Sequence, residues 1–456
     1  MNRYSLYITG IALALAGCSA DDEPGVASAD EIRFTVASDS AGSRVGGMTS
    51  SLEMLQNDKR GIGVTAVYNG DNSKNYFSNL KFTYSKYSNC WTSQPVYPWP
   101  STGSLEFIGY FPYNKDINPW ESYYKRLAFN SYVIKENVKE HDDLMVARTK
   151  STKAQAVASA PRLKFHHMLA NLNVEINKTN ERIHMRVYAV GLFNINCRGS
   201  LKITPSDLMA LDESSPSSSD YTDVIMPCWT LGTSSSLYNK YLYVRPDNNP
   251  VCITISGQTQ LVTGKFGNNF IRFPMEDNYS FMIIPQTVHP WQPSMGNKQS
   301  GTWIGLLASV SLQQDPIGLP VTDEDKSRNG KAIGVFPTGG NPKGHIALNL
   351  TNEELKEIKY AWLAVPLPAD SDGNFVFRPG CIYTIRLMLG YNGGGVGYMA
   401  PQQPEIPTDY NLTWSDVYKA DSRPAGESVL GGPIKVEVIE TNSGFVPPYR
   451  DDIFFE

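Results

Sequence analysis

The stretch Leu163-Lys164-Phe165-His166-His167-Met168-Leu169-Ala170-Asn171-Leu172-Asn173-Val174-Glu175-Ile176 decides the fold class. Leu163, Phe165 and His167 alternate with Lys164 and His166. Leu172, Val174 and Ile176 alternate with Asn171, Asn173 and Glu175. A period of two marks a strand with one buried face. The pattern recurs on both sides. Ile32, Phe34 and Val36 share one face of Glu31 to Ala37, Gly61 to Tyr68 alternates likewise, Leu80 to Tyr84 and Leu105 to Tyr113 continue the strand pattern, and Ile183 to Phe193 reads as the next strand pair or bend. Farther on, Tyr241 to Val244, Val251 to Ile255, Phe281 to Ile284, Ile304 to Leu312, Trp362 to Leu367, Tyr383 to Leu389 and Ile434 to Ile439 read as strands. Short strands separated by turn residues every ~8–15 positions predict an all-β chain of sandwiches. One helix is well signalled, Thr351 to Ile358, with Thr351 as cap and Glu353 and Glu354 in its first turn.

Composition bounds the function. The 456 residues suggest two to three domains. Hydrophobic residues make up 41% and charged residues 19%, and 25 Tyr, 18 Phe and 8 Trp can fill a large core, which excludes wholesale disorder. Lys+Arg 40 against Asp+Glu 45 gives a net charge of −5, too little positive charge for a nucleic-acid partner.

At the N-terminus, Asn2-Arg3 precedes an apolar run from Tyr7 to Ala16, too short to span a bilayer. It leads into Leu15-Ala16-Gly17-Cys18, which resembles a bacterial lipobox. Residues 1–17 are then a lipoprotein signal peptide, Cys18 the lipidated residue and 18–30 a tether, with two or more acyl chains giving a stable anchor. The acidic Asp21-Asp22-Glu23 is either a surface-export signal or a solvated part of that tether. Cys90, Cys197, Cys228, Cys252 and Cys381 remain. No pair has CxxC spacing, so a zinc or redox motif is unsupported; most are expected to be small buried hydrophobes.

Catalytic motifs fail on context. Gly61-x-Gly63-x-x-Ala66 stays in a β pattern, and Gly395-x-Gly397-x-x-Ala400 runs into Pro401, so neither opens the helix that a dinucleotide site needs. Ser78-x-x-Lys81 has nucleophile spacing in a β context without partners. His166 and His167 face opposite sides of a strand and cannot share a metal, and His167 is expected as a hydrogen-bonded core histidine. His141-Asp142-Asp143 reads as a solvated turn. No catalytic residue, metal site or cofactor is expected.

Several segments together resemble the fimbrillin family of pilin lipoproteins. Phe107-Ile108-Gly109-Tyr110-Phe111-Pro112-Tyr113 resembles its aromatic strand, and Asp143-Leu144-Met145-Val146-Ala147 its "D-L-L-V-A" turn. Leu163-x-Phe165-x-His167-x-Leu169-Ala170-x-Leu172 resembles its "L-x-F-x-H-x-L-A-K-L" strand, with Asn171 in place of Lys. Ile283-Ile284-Pro285-Gln286 and Phe377-x-Pro379-Gly380-x-Ile382-Tyr383-Thr384-Ile385 resemble two further strands. The resemblance covers most of residues 31–440.

It implies two tandem transthyretin-like Greek-key β-sandwich domains, placed at 31–189 and 190–456. It implies an outer-membrane lipoprotein, held in lipid by acylated Cys18 and exported to the cell surface, that joins other fimbrial subunits. It also implies cleavage after an Arg behind the first strand, here Arg44 before Val45, with Arg60 as fallback. Loss of the strand carrying Ile32, Phe34 and Val36 would bare an apolar groove for a neighbour's strand to fill. The donor candidate is the segment with Ile434, Val436 and Val438 on one face. Extra length in the second half suits a tip or accessory subunit that meets host or bacterial surface ligands. The alternative is a monomeric surface glycan-binding lipoprotein that stacks sugars on Tyr97-Pro98-Trp99.

Overall fold

The opening stretch folds as two strands, with a break at Met168 and Leu169. Met168 N–H bonds Leu144 O at 2.8 Å, which turns the chain from one sheet into another. The structure, a computed structural model, describes residues 30–38, 52–69, 74–180, 182–213, 219–232, 240–244, 251–253, 270–275, 279–298, 300–313, 332–338, 358–391, 394–405 and 423–442.

In chain order the first strands are β1 (Thr35–Ser38), β2 (Ile62–Tyr68), β3 (Asn75–Ser85), β4 (Cys90–Ser93), β5 (Ser104–Phe111), β6 (Trp120–Glu121), β7 (Arg126–Val133), β8 (Met145–Thr152) and β9 (Arg162–His167). There follow β10 (Ala170–Lys178), β11 (Ile183–Phe193), β12 (Arg198–Ile203), β13 (Trp229–Leu231), β14 (Lys240–Val244), β15 (Val251–Ile253), β16 (Ile271–Phe273), β17 (Phe281–Ile283) and β18 (Gln286–Val288). The last are β19 (Trp303–Gln313), β20 (Ala332–Phe336), β21 (Ala361–Pro366), β22 (Phe375–Phe377), β23 (Cys381–Leu389), β24 (Tyr398–Met399) and β25 (Lys435–Asn442). The chain is all-β, as its alternation predicts.

One sheet has the order β1-β9-β8-β5-β2-β3-β4, and a smaller one, β13-β12-β7-β6, lies beside it. The second half is built on β16-β10-β23-β25 and β14-β11-β19-β21-β24. β10 runs parallel to β23 over eight residue pairs, from Asn171↔Ile382 to Lys178↔Leu389. β11 pairs with β19 from Ile183↔Leu312 to Phe193↔Trp303. Strands β10 and β11 therefore belong with partners from the second half, and a boundary at 189/190 falls inside β11. The alternating residues of β10 explain the arrangement. Leu172, Val174 and Ile176 enter the main core, while Asn171 and Asn173 are buried on the other face, where Asn173 Nδ2 donates to Asn171 Oδ1 at 3.1 Å.

Short helices were harder to read. α1 (Leu52–Asn57), α2 (Lys153–Ala158), α3 (Pro205–Glu213) and α4 (Ser219–Ile225) are present. α2 carries a capping box between Thr152 and Gln155, and at the start of α3 Thr204 and Asp207 exchange hydrogen bonds. These helices are one to three turns long, too short for an apolar period to register. The segment Asp143 to Ala147, expected as a turn, enters β8 at Met145. The predicted helix at 351–358 lies outside the described residues apart from Ile358.

Candidate functional site

The first strand holds the unusual geometry. Ile32, Phe34 and Val36 are 2%, 0% and 7% exposed. The strand changes partner in mid-course. Up to Phe34 it bonds the 91–99 segment: Ile32 N–H to Tyr97 O at 2.8 Å, Phe34 N–H to Trp91 O at 3.1 Å, and Trp99 N–H to Asp30 O at 2.8 Å. From Thr35 to Ser38 it runs parallel to Arg162–Phe165 of β9. Without β1 the sheet has six strands, with β9 at one end and β4 at the other, so this one strand closes the sheet on itself.

The interior it seals is a separate apolar cluster. Ile62, Val64, Phe77, Phe82, Trp91, Leu105, Phe107, Leu163 and Phe165 line it, together with Leu55 of α1. The Phe34 ring sits edge-on to Phe82 and Phe107, with centroids 5.0 and 4.8 Å away. Burial of each such side chain is worth about 1.5–3 kcal/mol, with a little more from the ring pairs. Take the strand away and the strand edges at 91–99 and at β9 lose their partners while the apolar cluster opens to water.

Tyr97 and Trp99 face this interior. Tyr97 packs on Phe77 at 5.0 Å and Trp99 on Phe107 at 5.5 Å, with Trp99 only 5% exposed. They are core wall rather than a sugar-stacking platform, because the alternation that bonds their backbone to the first strand turns their rings inward.

Cys18, Arg44 and Val45 lie outside the described residues. Arg60 is visible and poorly placed for cleavage. Its guanidinium bridges Asp58 at 2.7 Å and Asp142 at 2.6 Å. The next residue, Gly61, is buried at φ +74, and a Cβ there would lie 2.3 Å from Phe82 O. A protease needs an extended segment on both sides of the scissile bond, and the Arg60–Gly61 bond leads straight into β2.

At the other end, Ile434, Val436 and Val438 lead into or lie on β25, which pairs antiparallel with β23 from Cys381↔Asn442 to Met388↔Lys435. Ile434 and Val436 are buried in the main core. Arg386 holds Glu175 of β10 at 2.7 Å and approaches Glu437 of β25 at 3.8 Å, a charge ladder across three strands. Arg378 adds Glu440 at 2.9 Å. The donor candidate is thus seated in its own domain as the last strand of a sheet. Elsewhere in the sequence, Asp30-Glu31-Ile32-Arg33-Phe34 is echoed by Asp451-Asp452-Ile453-Phe454-Phe455, with the same spacing of acid, Ile and Phe.

The histidines are structural. His167 Nδ1–H donates to Asp143 Oδ2 at 2.8 Å, both fully buried, as expected of a core histidine. His166 Nε2–H donates to Asp212 at 2.9 Å. His141 departs from the solvated turn expected of it. Its Nδ1 accepts the Met282 N–H at 3.0 Å, its Nε2–H faces Lys135 O at 2.7 Å, and its ring abuts Tyr241. Burial lowers its pKa to about 4, so it sits neutral at the joint between β14, β17 and the 135–141 segment. Cys90, Cys197, Cys228 and Cys381 are thiols. Burial pushes Cys197 and Cys228 up to about 12, which leaves them inert. Ser78 Oγ accepts from Asn75 and Lys81 Nζ donates to Lys59 O, so no serine–lysine pair exists. Gly63 lies under the Tyr110 ring within β2, far from any phosphate-cradling helix start. Among the described residues no group of three metal-ligating side chains gathers.

The model of the fimbrillin-like family matches residues 49–288, just over half of the chain. The chain belongs to the fimbrillin-like family. Membership implies a structural subunit of a cell-surface appendage that assembles with other such subunits. No curated protein matches the chain. Among solved structures, a fimbrial protein from Bacteroides vulgatus is similar at 12% identity and TM-score 0.42, covering 78% of this chain and 94% of that one. A candidate cell-adhesion protein from Parabacteroides distasonis is similar at 8% identity and TM-score 0.36, covering 91% and 99%. The family match, rather than these distant likenesses, carries the assignment. No helix among the described residues is long and apolar enough to cross a membrane.

Proposed function

We propose that this fimbrillin-like chain is a fimbrial subunit activated by loss of its first strand and assembled by donor-strand exchange. It is exported as an outer-membrane lipoprotein on acylated Cys18. Cleavage after Arg44 detaches residues up to 44 and leaves Val45 as the new N-terminus. The observation that carries the reading is the closing strand itself: it fills a sealed apolar interior and meets both ends of one sheet. The vacated groove then needs a strand of the same direction and the same i, i+2, i+4 apolar pattern.

That strand comes from the C-terminal end of a second copy. Ile434, Val436 and Val438 can serve only after β25 leaves β23 and gives up its ladder. Residues 451–455 repeat the spacing of the departing strand, with acid, Ile and Phe at the same intervals. The organisation into two tandem transthyretin-like sandwiches, divided near Met168 rather than at 189/190, belongs to the same reading.

Sequencing the N-terminus of protein taken from the cell surface tests activation. Val45 is the expected residue, and a chain that still begins at lipidated Cys18 in assembled fibres overturns it. In vitro, Arg-specific proteolysis should yield heat-labile ladders on denaturing gels. Truncation after Asn442 should abolish the ladders while the monomer melts as before. Ladders that persist in the truncated protein would return the donor role to β25.

A further inference from the structure

Between the closed sheet and the small sheet lies an open cleft of about 810 Å³. That is within the range of roughly 300–1,000 Å³ common for small-molecule sites. One wall is the loop after β5, with Tyr113, Asn114 and Lys115, and the other is β7 from Ala128 to Val133. Arg60 and Lys81 border it as well.

The cleft is held in shape. Tyr110 Oη–H donates to Asn79 Oδ1 at 2.7 Å and accepts the Asn114 N–H at 3.2 Å. Asn79 Nδ2 donates to Asn114 O at 3.2 Å and also to Ile117 O. These bonds pin the loop to β3 and β5. On the opposite wall the β7–β12 register slips between Gly199 and Leu201, and Ser131 has φ 56. A kinked strand cannot carry a straight ladder, so an extended peptide is a poor occupant of this wall.

The chemistry that remains is specific in kind. Asn114, Asn130 and Ser131 offer amide and hydroxyl groups from exposed positions. Tyr113 offers a half-buried ring with the Lys81 ammonium 5.8 Å from its centroid. Arg60 is already balanced by Asp58 and Asp142. With Lys81 and exposed Lys115 these five charged groups, three bases and two acids, carry one net positive charge.

We propose that this cleft binds an acidic oligosaccharide. The ring suits the apolar face of a sugar, the amides and hydroxyl suit its hydroxyl groups, and the two ammonium groups suit a carboxylate or a sulfate. The full chain on an array of sialylated, sulfated and uronic-acid glycans, beside their neutral parents, tests it. At least ten-fold stronger binding to acidic members is expected, falling as salt rises. Tyr113→Ala and Lys115→Glu should each lower that binding by ten-fold or more, while Lys86→Glu, on an exposed turn outside the cleft, should leave it within two-fold. The arms separate carboxylate from sulfate. Equal binding to the neutral parents, no binding to any acidic glycan, or binding that survives both cleft variants overturns the proposal.

Discussion

The two terminal strands of the described fold, the one carrying Ile32 to Ser38 and β25, are held in different ways. The first is short, splits its hydrogen bonds between two partners, and is fixed chiefly by three apolar side chains in a sealed interior. β25 lies along a single partner for eight residues, and its own Glu437 and Glu440 face Arg386 of β23 and Arg378 just before it. A strand held by apolar pockets can be exchanged for any segment with the same pattern. A strand held by charges in register can be exchanged only for one that also matches those charges. Under the proposed strand exchange, the N-terminal strand is the one that leaves and β25 the one that stays.

The largest expected effect comes from the proposed cut site. Arg44→Ala should abolish Arg-specific release of the first strand, read by mass spectrometry of the product. Arg60→Ala should leave release unchanged, and a reversed result would mean that β2 opens before cleavage.

Phe34→Ala comes next. Losing a ring from between Phe82 and Phe107 should cost about 3–5 kcal/mol in denaturant unfolding. A cost under about 1 kcal/mol would erase the distinction between the two strands.

Arg386→Ala should cost less, about 1–3 kcal/mol, because its partners retain some contact with water. Amide exchange should quicken along β25 and leave the first strand unaffected. Uniform quickening would show that the halves unfold as one unit.

The last effect, confined to acid pH, is a pH response of the second half. His141 has a folded pKa near 4, below its ordinary 6.5. The unfolded chain then binds the proton more readily between those values, so stability present above pH 6.5 is lost as pH falls toward 4, by at most about 3 kcal/mol. His141→Asn should flatten that part of the profile, measured by thermal unfolding at fixed ionic strength. A variant profile parallel to wild type would remove His141 from the joint.

Much of this was legible in the chain. The alternation of Ile32, Phe34 and Val36 predicted both a strand and its buried face, and His167 on an apolar face predicted a core partner. Short helices such as α2 escaped because a six-residue turn has no period to detect, although Thr152 and Gln155 announce its cap. For Tyr97 and Trp99 the letters left core packing and a sugar platform both open, because exposure depends on what the neighbouring strand covers. The echo of Asp30 to Phe34 at 451–455 was present in the letters, and only the groove geometry gives it meaning.

By itself the sequence determined the all-β class, the apolar face of each strand and the resemblance to fimbrillins. Side-chain period and residue type are local properties that need no partner to be read. Tertiary structure decided which strands share a sheet, since β10 beside β23 joins residues some two hundred positions apart. It also decided that one strand closes a sheet at both ends. Hydrogen-bond partners between strands are a matter of chain path through space, and alternation along the chain carries no record of them.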